Sequence, residues 1–246
     1  MDEKDPNVIL GSYPCTKYSA IADIHGTRTG DELFLHFFRH VAIQRPDIYI
    51  VENVPGMLKF PIVMEAMTKL PDYYVNVFCP VNSNIWLPQD RKRLIIVGSR
   101  RSFNWTPPEL TSNNRTSLKD LIEKDPDIDY STFLNKACYK RINGEYRDRP
   151  IISDPELDHI APTCVAHYAK DRSTRMVKDS NSPIGARPYT VKEYARLMGV
   201  PDSFKFAGSD NDSYRQIGNG VPAPIGRWLA KEIKRYYAPY LQTNLF

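Results

Sequence analysis

The strongest constraint on this chain is the alternation of strand-like and helix-like segments in its first hundred residues. Residues 7–10 (NVIL) read as a short apolar strand ending at Gly11. Residues 31–44 follow a glycine and carry Phe34, Phe37, Phe38 and Val41 at helical spacing. Residues 47–51 (DIYIV) predict a strand, and residues 61–70 a helix with proline in its first position. Residues 73–78 and 94–98 (LIIVG) are again strand-like. This order predicts an α/β layer structure with a largely parallel sheet.

The texture changes after Arg101. Residues 102–188 are rich in Pro, Asn, Ser, Asp and Tyr and show weak periodicity, which predicts a smaller, loop-rich domain. The chain holds 20 prolines, about 8% against a usual figure near 5%. Order returns at Thr190-Val-Lys-Glu193, a capping box opening a helix whose face is Tyr194, Leu197 and Met198; Gly199 and Pro201 end it. A last helix starts near Pro222, with Ile225, Trp228, Leu229, Ile233 and Tyr236 on one side.

Composition narrows the function classes. Charged residues make up 25% and hydrophobic residues 41%, the balance of a globular protein. No apolar run reaches the roughly 18 residues of a spanning helix, and the acidic N-terminus has no signal-peptide core. Cys15, Cys79, Cys138 and Cys164 lie far apart without CxxC spacing, which points to a reducing cytoplasm and away from a disulfide framework or a zinc site. The formal net charge of +4 permits a nucleic-acid partner without requiring one.

Four segments carry chemistry. In Gly11-Ser-Tyr-Pro-Cys15, the cysteine follows a strand end beside Lys17; it reads as a reactive thiolate or as an ordinary buried thiol. In Val51-Glu52-Asn53-Val54-Pro55-Gly56, a carboxylate at another strand end is either a proton donor or a solvated glutamate. In Gln89-Asp90-Arg91-Lys92-Arg93, alternation puts both arginines on one face, suited to phosphate or a base edge, or simply to a basic surface. In Tyr214-Arg-Gln-Ile-Gly218-Asn219-Gly220-Val221-Pro222, a glycine turn before a helix allows close backbone approach to a ligand.

The order of these pieces is far more specific than any one of them. PC(x)₃S, ENV, QxRxR, a variable region, RPYTxxExARLMGxPDSFxF and QIGNGVP together resemble the DNA cytosine-5 methyltransferase family over residues 7–101 and 186–236. The resemblance implies that Cys15 is the nucleophile, that Glu52 protonates ring nitrogen 3, and that Arg93 holds the cytosine carbonyl with Arg91 beside it. It further implies that Pro14, Asn219, Gly220 and Val221 contact S-adenosylmethionine. Ser19 and Asn53 would contact DNA, and residues 16–29 would form a mobile catalytic loop that closes over a flipped base.

There are two departures from the family pattern. Thr16 stands where the family usually has glutamine, and no FxGxG cofactor loop exists in the sequence. The expected fold is therefore α/β: a partial, Rossmann-like methyltransferase sheet lacking its first strands, plus a small target-recognition domain. Loss of those strands would leave NVIL as an open edge. The chain is expected to be the catalytic and DNA-recognising subunit of a split enzyme, a heterodimer whose second polypeptide supplies the cofactor loop. The divisions expected are 1–101 catalytic, 102–185 target recognition, 186–214 a helix and turn of the small domain, and 215–246 a C-terminal helix returning to the catalytic part.

In the variable region, Lys140 and Arg141 lie in one mixed basic and aromatic stretch and Arg172 and Arg175 in another, around His167 and Tyr168. They are candidates for phosphate and base-edge contacts. Restriction-modification is the implied setting. The alternatives are a non-catalytic DNA-binding remnant and a tRNA cytosine-5 methyltransferase.

Overall fold

The computed structural model describes residues 6–13, 33–109, 115–145 and 150–241. The chain divides into two compact units. The first comprises residues 1–82, 92–108 and 231–246; the second comprises 83–91 and 109–230.

Unit 1 is built on a four-stranded sheet. Its strands are β1 (Val8–Gly11), β2 (Ile48–Asn53), β3 (Tyr74–Asn82) and β4 (Lys92–Ser99), in the spatial order β1-β2-β4-β3. Only β1 and β2 are parallel; β4 runs antiparallel to both β2 and β3. This corrects the expectation of a largely parallel sheet. A parallel return needs a crossover of about a dozen residues or more, and only residues 83–91 separate β3 from β4. β2 is buried along its whole length, as its apolar run requires of an inner strand.

Two helices, α1 (Leu33–Gln44) and α2 (Pro61–Thr68), cover one face of the sheet. Phe34, Phe37, Phe38 and Val41 of α1 pack there with Tyr49, Val51, Leu94 and Ile96, so the predicted helical stripe is the buried one. Two glycines make room for rings. A Cβ on Gly98 would stand 2.0 Å from the Tyr49 ring, and one on Gly11 would stand 2.4 Å from Phe37. The Tyr49 hydroxyl donates to the Met67 carbonyl at 2.6 Å, joining β2 to α2.

Unit 2 holds a three-stranded sheet of β5 (Ile151–Ser153), β6 (Arg175–Lys178) and β7 (Ala186–Pro188). Its helices include α3 (Lys136–Ile142), α4 (Val191–Arg196) and α5 (Asp210–Asn219). Residues 186–214 do not stand apart from the recognition region. Tyr189, Tyr194, Leu197, Met198 and Tyr214 share one core with Leu118, Cys164 and Tyr168. The capping box at Thr190 and Glu193 is formed, and Gly199 ends the turn at φ 72°.

The last helix, α6 (Ala223–Leu241), belongs to unit 2 through Ala230 and to unit 1 from Lys231. On its apolar side Trp228 and Ile233 are half-buried. Ile225 and Leu229 are buried within the chain, as is Tyr236, whose ring takes the Arg101 guanidinium at 4.1 Å. Among the described residues, no helix is long and apolar enough to cross a membrane, and no cluster of His, Cys, Asp and Glu could hold a metal ion.

Candidate active site

In the β2–β4 register Glu52 lies opposite Ile95, so Arg93, two residues earlier on β4, is its diagonal neighbour on the same face. The parity of QxRxR is also as expected: Arg91 and Arg93 are buried, while Asp90 and Lys92 between and beside them are exposed. Arg93 Nε stands 2.8 Å from Glu52 Oε1, and both side chains are almost wholly buried. Arg93 Nη1 donates to the Lys92 carbonyl at 2.7 Å. Its Nη2 makes no hydrogen bond among the described residues, so the fork keeps one open arm.

Sequence reasoning passed over Ser12. Its hydroxyl donates to Glu52 Oε2 at 2.6 Å, so both carboxylate oxygens are held. Asn53 Nδ2 donates to the Tyr13 carbonyl at 3.3 Å, and Asn53 Oδ1 accepts from the Val54 amide at 2.9 Å. The chain leaving β1 is thus tied to the Glu52-Asn53 strand end immediately before Pro14 and Cys15. A hydroxyl at the end of one strand, three residues before the cysteine, was the available signal. Pro14, Cys15 and Ser19, with the 16–29 segment, lie outside the described residues.

Arg91 goes elsewhere. The resemblance groups it with Arg93 beside the base, but it lies in unit 2 and is only 2% exposed. Its Nη1 donates to the Cys164 carbonyl at 2.6 Å, and its Nη2 to the carbonyls of Gly218 at 3.0 Å and Gly220 at 2.8 Å. A guanidinium so engaged braces backbone and has little left for a base edge.

Beyond this brace, Asn219 is exposed, and its side chain makes no hydrogen bond among the described residues; Gly220 and Val221 are half-buried. This is an ordered turn offering one free amide, which suits one side of a polar ligand.

The recognition candidates divide in the same way. Arg141 donates from Nε to Ser173 Oγ at 2.6 Å and pairs with Asp171 at 2.6 Å, so it ties α3 to the 171–173 turn. Arg172 lies 4.7 Å from the centre of the Phe133 ring. Arg175 starts β6 and donates to the Thr174 hydroxyl at 3.2 Å. Lys140 is exposed, and its ammonium stands 3.4 Å from the Glu145 carboxylate. His167 is driven toward its neutral form by burial and then by Arg175 and Lys170.

Comparison with known proteins bears on this geometry. The profile of the C-5 cytosine-specific DNA methylases matches residues 1–235. The chain belongs to that family. Members of the family are S-adenosylmethionine-dependent methyltransferases. Among its relatives is the Type II methyltransferase M.AplI of Arthrospira platensis, 28% identical over 93% of this chain and 68% of that protein. M.BspRI of Lysinibacillus sphaericus is 27% identical over 97% of the chain and 62% of its own length. M.SsoII of Shigella sonnei is 27% identical over 95% of the chain and 66% of its own length. The chain therefore spans about two thirds of these family members.

Solved structures share the fold. The Entamoeba histolytica methyltransferase EhMeth superposes with a TM-score of 0.72 at 15% identity, covering 93% of this chain and 77% of that one. The S. pombe Dnmt2 methyltransferase gives 0.65 at 17% identity, with 95% and 78% covered.

Proposed function

We propose that this chain carries the catalytic and DNA-recognising part of a DNA (cytosine-5-)-methyltransferase, acting on a cytosine flipped out of the duplex. The observation that carries the reading is the buried Glu52–Arg93 pair, with Ser12 on the second carboxylate oxygen and one arm of Arg93 open.

The chemistry follows from the ring. Carbon 5 of cytosine is a poor nucleophile. The Cys15 thiolate adds to carbon 6 while the Glu52 carboxyl hydrogen-bonds and protonates nitrogen 3, and the electron pair then localises on carbon 5. Arg93 holds the ring carbonyl through its open arm and keeps Glu52 oriented. After carbon 5 has taken up the methyl group, its proton passes to water, the Cys15–carbon 6 bond breaks with the thiolate leaving, and Glu52 takes back the nitrogen 3 proton as aromaticity returns. A base inside the stack cannot be reached in this way, so it is extruded. S-adenosylmethionine, when bound, supplies the electrophilic methyl group, and Pro14, Asn219, Gly220 and Val221 are the residues read as holding it.

The other thiols support Cys15 as the nucleophile. Cys138 and Cys164 are buried, and burial pushes the thiols of Cys79 and Cys138 up, away from the reactive thiolate. Region 102–185, with Lys140, Arg172 and Arg175, is read as target-recognising and Ser19 as a DNA contact, whereas Arg141 and the buried Asn53 are engaged within the chain.

The reading includes a second polypeptide. Among the described residues β1 pairs only with β2, and Leu10 on it is 57% exposed. Such an edge suits added strands, and a partner bringing them with the cofactor loop would bury roughly 2,000 Å² or more. Calorimetric titration with S-adenosylmethionine should show much tighter binding once that partner is added; equal binding without it removes the partner from the reading.

The function itself is tested by trapping. DNA containing 5-fluorocytosine, mixed with the active enzyme and S-adenosylmethionine, should form a stable covalent adduct through Cys15 that Cys15→Ser abolishes. An adduct on Cys79, Cys138 or Cys164 refutes the assignment.

A further inference from the structure

We infer that Arg91 is a positioning residue for the 218–221 turn, ordering it for an adenosyl ligand, and that it does not touch the target base. The inference rests on the reading of Asn219, Gly220 and Val221 as cofactor-binding.

Two of the carbonyls that Arg91 takes, those of Gly218 and Gly220, lie at the C-terminal end of α5 and just past it. The last carbonyls of a helix have no partner within it, and a cation there is favourable. The third carbonyl, that of Cys164, lies on the segment crossing this helix end. The crossing is close because residue 218 has no side chain: a Cβ there would stand 2.2 Å from the Ala166 amide nitrogen. Arg91 thus bridges two backbones that Gly218 allows to meet.

Neighbouring contacts complete the brace. Gln89, on the same face as Arg91, donates to the Leu197 carbonyl at 2.5 Å and accepts from the Cys164 amide at 3.0 Å. On the far side of the turn, the Ala223 amide donates to the Met198 carbonyl at 2.9 Å. The turn is therefore anchored before and after Asn219, and the side chain between the anchors is exposed. A lysine cannot replace the guanidinium, because a single ammonium does not present a planar fork to three carbonyls.

The test compares wild type, Arg91→Lys and Asn219→Ala in the active enzyme, assembled with whatever chain it needs. Backbone hydrogen exchange is read residue by residue, S-adenosylhomocysteine is the titrated probe, and steady-state constants are measured for S-adenosylmethionine and for DNA. Arg91→Lys should speed exchange of the 218–221 amides by about tenfold and raise the KM for S-adenosylmethionine by a similar factor, since it strands buried carbonyls. Exchange on β2 and β4 and the KM for DNA should not change. Asn219→Ala, on an exposed side chain, should weaken S-adenosylhomocysteine by roughly tenfold without altering exchange.

Unchanged 218–221 exchange in Arg91→Lys overturns the brace. So does a loss confined to kcat or to the KM for DNA, which would return Arg91 to the base. Unchanged affinity in Asn219→Ala overturns the link from turn to ligand. Wild type that binds no S-adenosylhomocysteine brings down the cofactor reading itself, an outcome separate from the exchange result.

Discussion

Glu52 and Arg93 meet diagonally across two antiparallel strands, with Oε1 2.8 Å from Nε and the Ser12 hydroxyl closing the other carboxylate oxygen. Three segments far apart in sequence thus converge on one carboxylate. Removing the guanidinium alone takes away one of the two partners that hold the buried Glu52 carboxyl. Arg93→Met should therefore destabilise unit 1 by about 3 kcal/mol, measured by urea unfolding, and abolish methyl transfer. A stability equal to wild type would mean that the pair is solvated in solution.

Ser12→Ala removes one donor and leaves the ion pair in place. Its expected cost is about 1 kcal/mol of stability. Methyl transfer should slow by roughly tenfold, the equivalent of about 1.4 kcal/mol in the barrier, because the Glu52 carboxyl is free to turn. Single-turnover kinetics with pre-bound DNA separates this from a binding defect, and an unaltered rate would confine Ser12 to a structural role.

The two glycines flanking the start of α6 should respond with opposite signs. Gly218→Ala drives a Cβ into the Ala166 backbone, which cannot give way as a flexible side chain would. It should destabilise unit 2 by about 2 kcal/mol or more. Gly226 lies inside a helix, and a Cβ added there would meet nothing within 4 Å, so Gly226→Ala should stabilise by roughly 0.5–1 kcal/mol. Thermal melts of the two variants against wild type check both signs.

Acid should loosen unit 2 through Asp179. Burial alone would raise its pKa, but hydrogen bonds from Tyr130, the Asn181 amide and Arg187, together with the Arg187 charge, more than offset this and hold it below the ordinary aspartate value. With the folded pKa lowered, the stabilisation is complete above the unfolded value and fades as pH falls through the folded one. Urea midpoints should thus decline below about pH 4, and Asp179→Asn should flatten that decline. An identical pH profile in the variant would transfer the effect to other carboxylates, such as Asp171.

The basic residues of unit 2 should divide by what they touch. Arg141→Ala breaks the ties to Asp171 and Ser173 and should lower stability. Lys140→Ala should leave stability alone and, as a phosphate contact, reduce the salt dependence of DNA binding by about one charge. Salt titrations of DNA affinity beside unfolding curves distinguish the two behaviours.

Much of this was legible in the sequence by itself. The apolar run of β2, the helical stripe of α1 and the capping box at Thr190 are local patterns set by neighbours a few residues away. Two-residue alternation in QxRxR set Arg91 and Arg93 apart from the exposed Asp90 and Lys92, but not what either arginine meets. The order of motifs pointed to the family. Tertiary structure alone decided the rest. That β4 enters antiparallel between β2 and β3 depends on long-range pairing, which local periodicity does not encode. The same pairing put Arg93 against Glu52 and recruited Ser12, while two residues earlier the chain carried Arg91 into unit 2. Gly218 became essential only because another backbone crosses it there, and Arg141 became structural because Asp171 stands beside it. Such contacts join segments tens of residues apart, so they exist only once the chain has closed those loops and set its register.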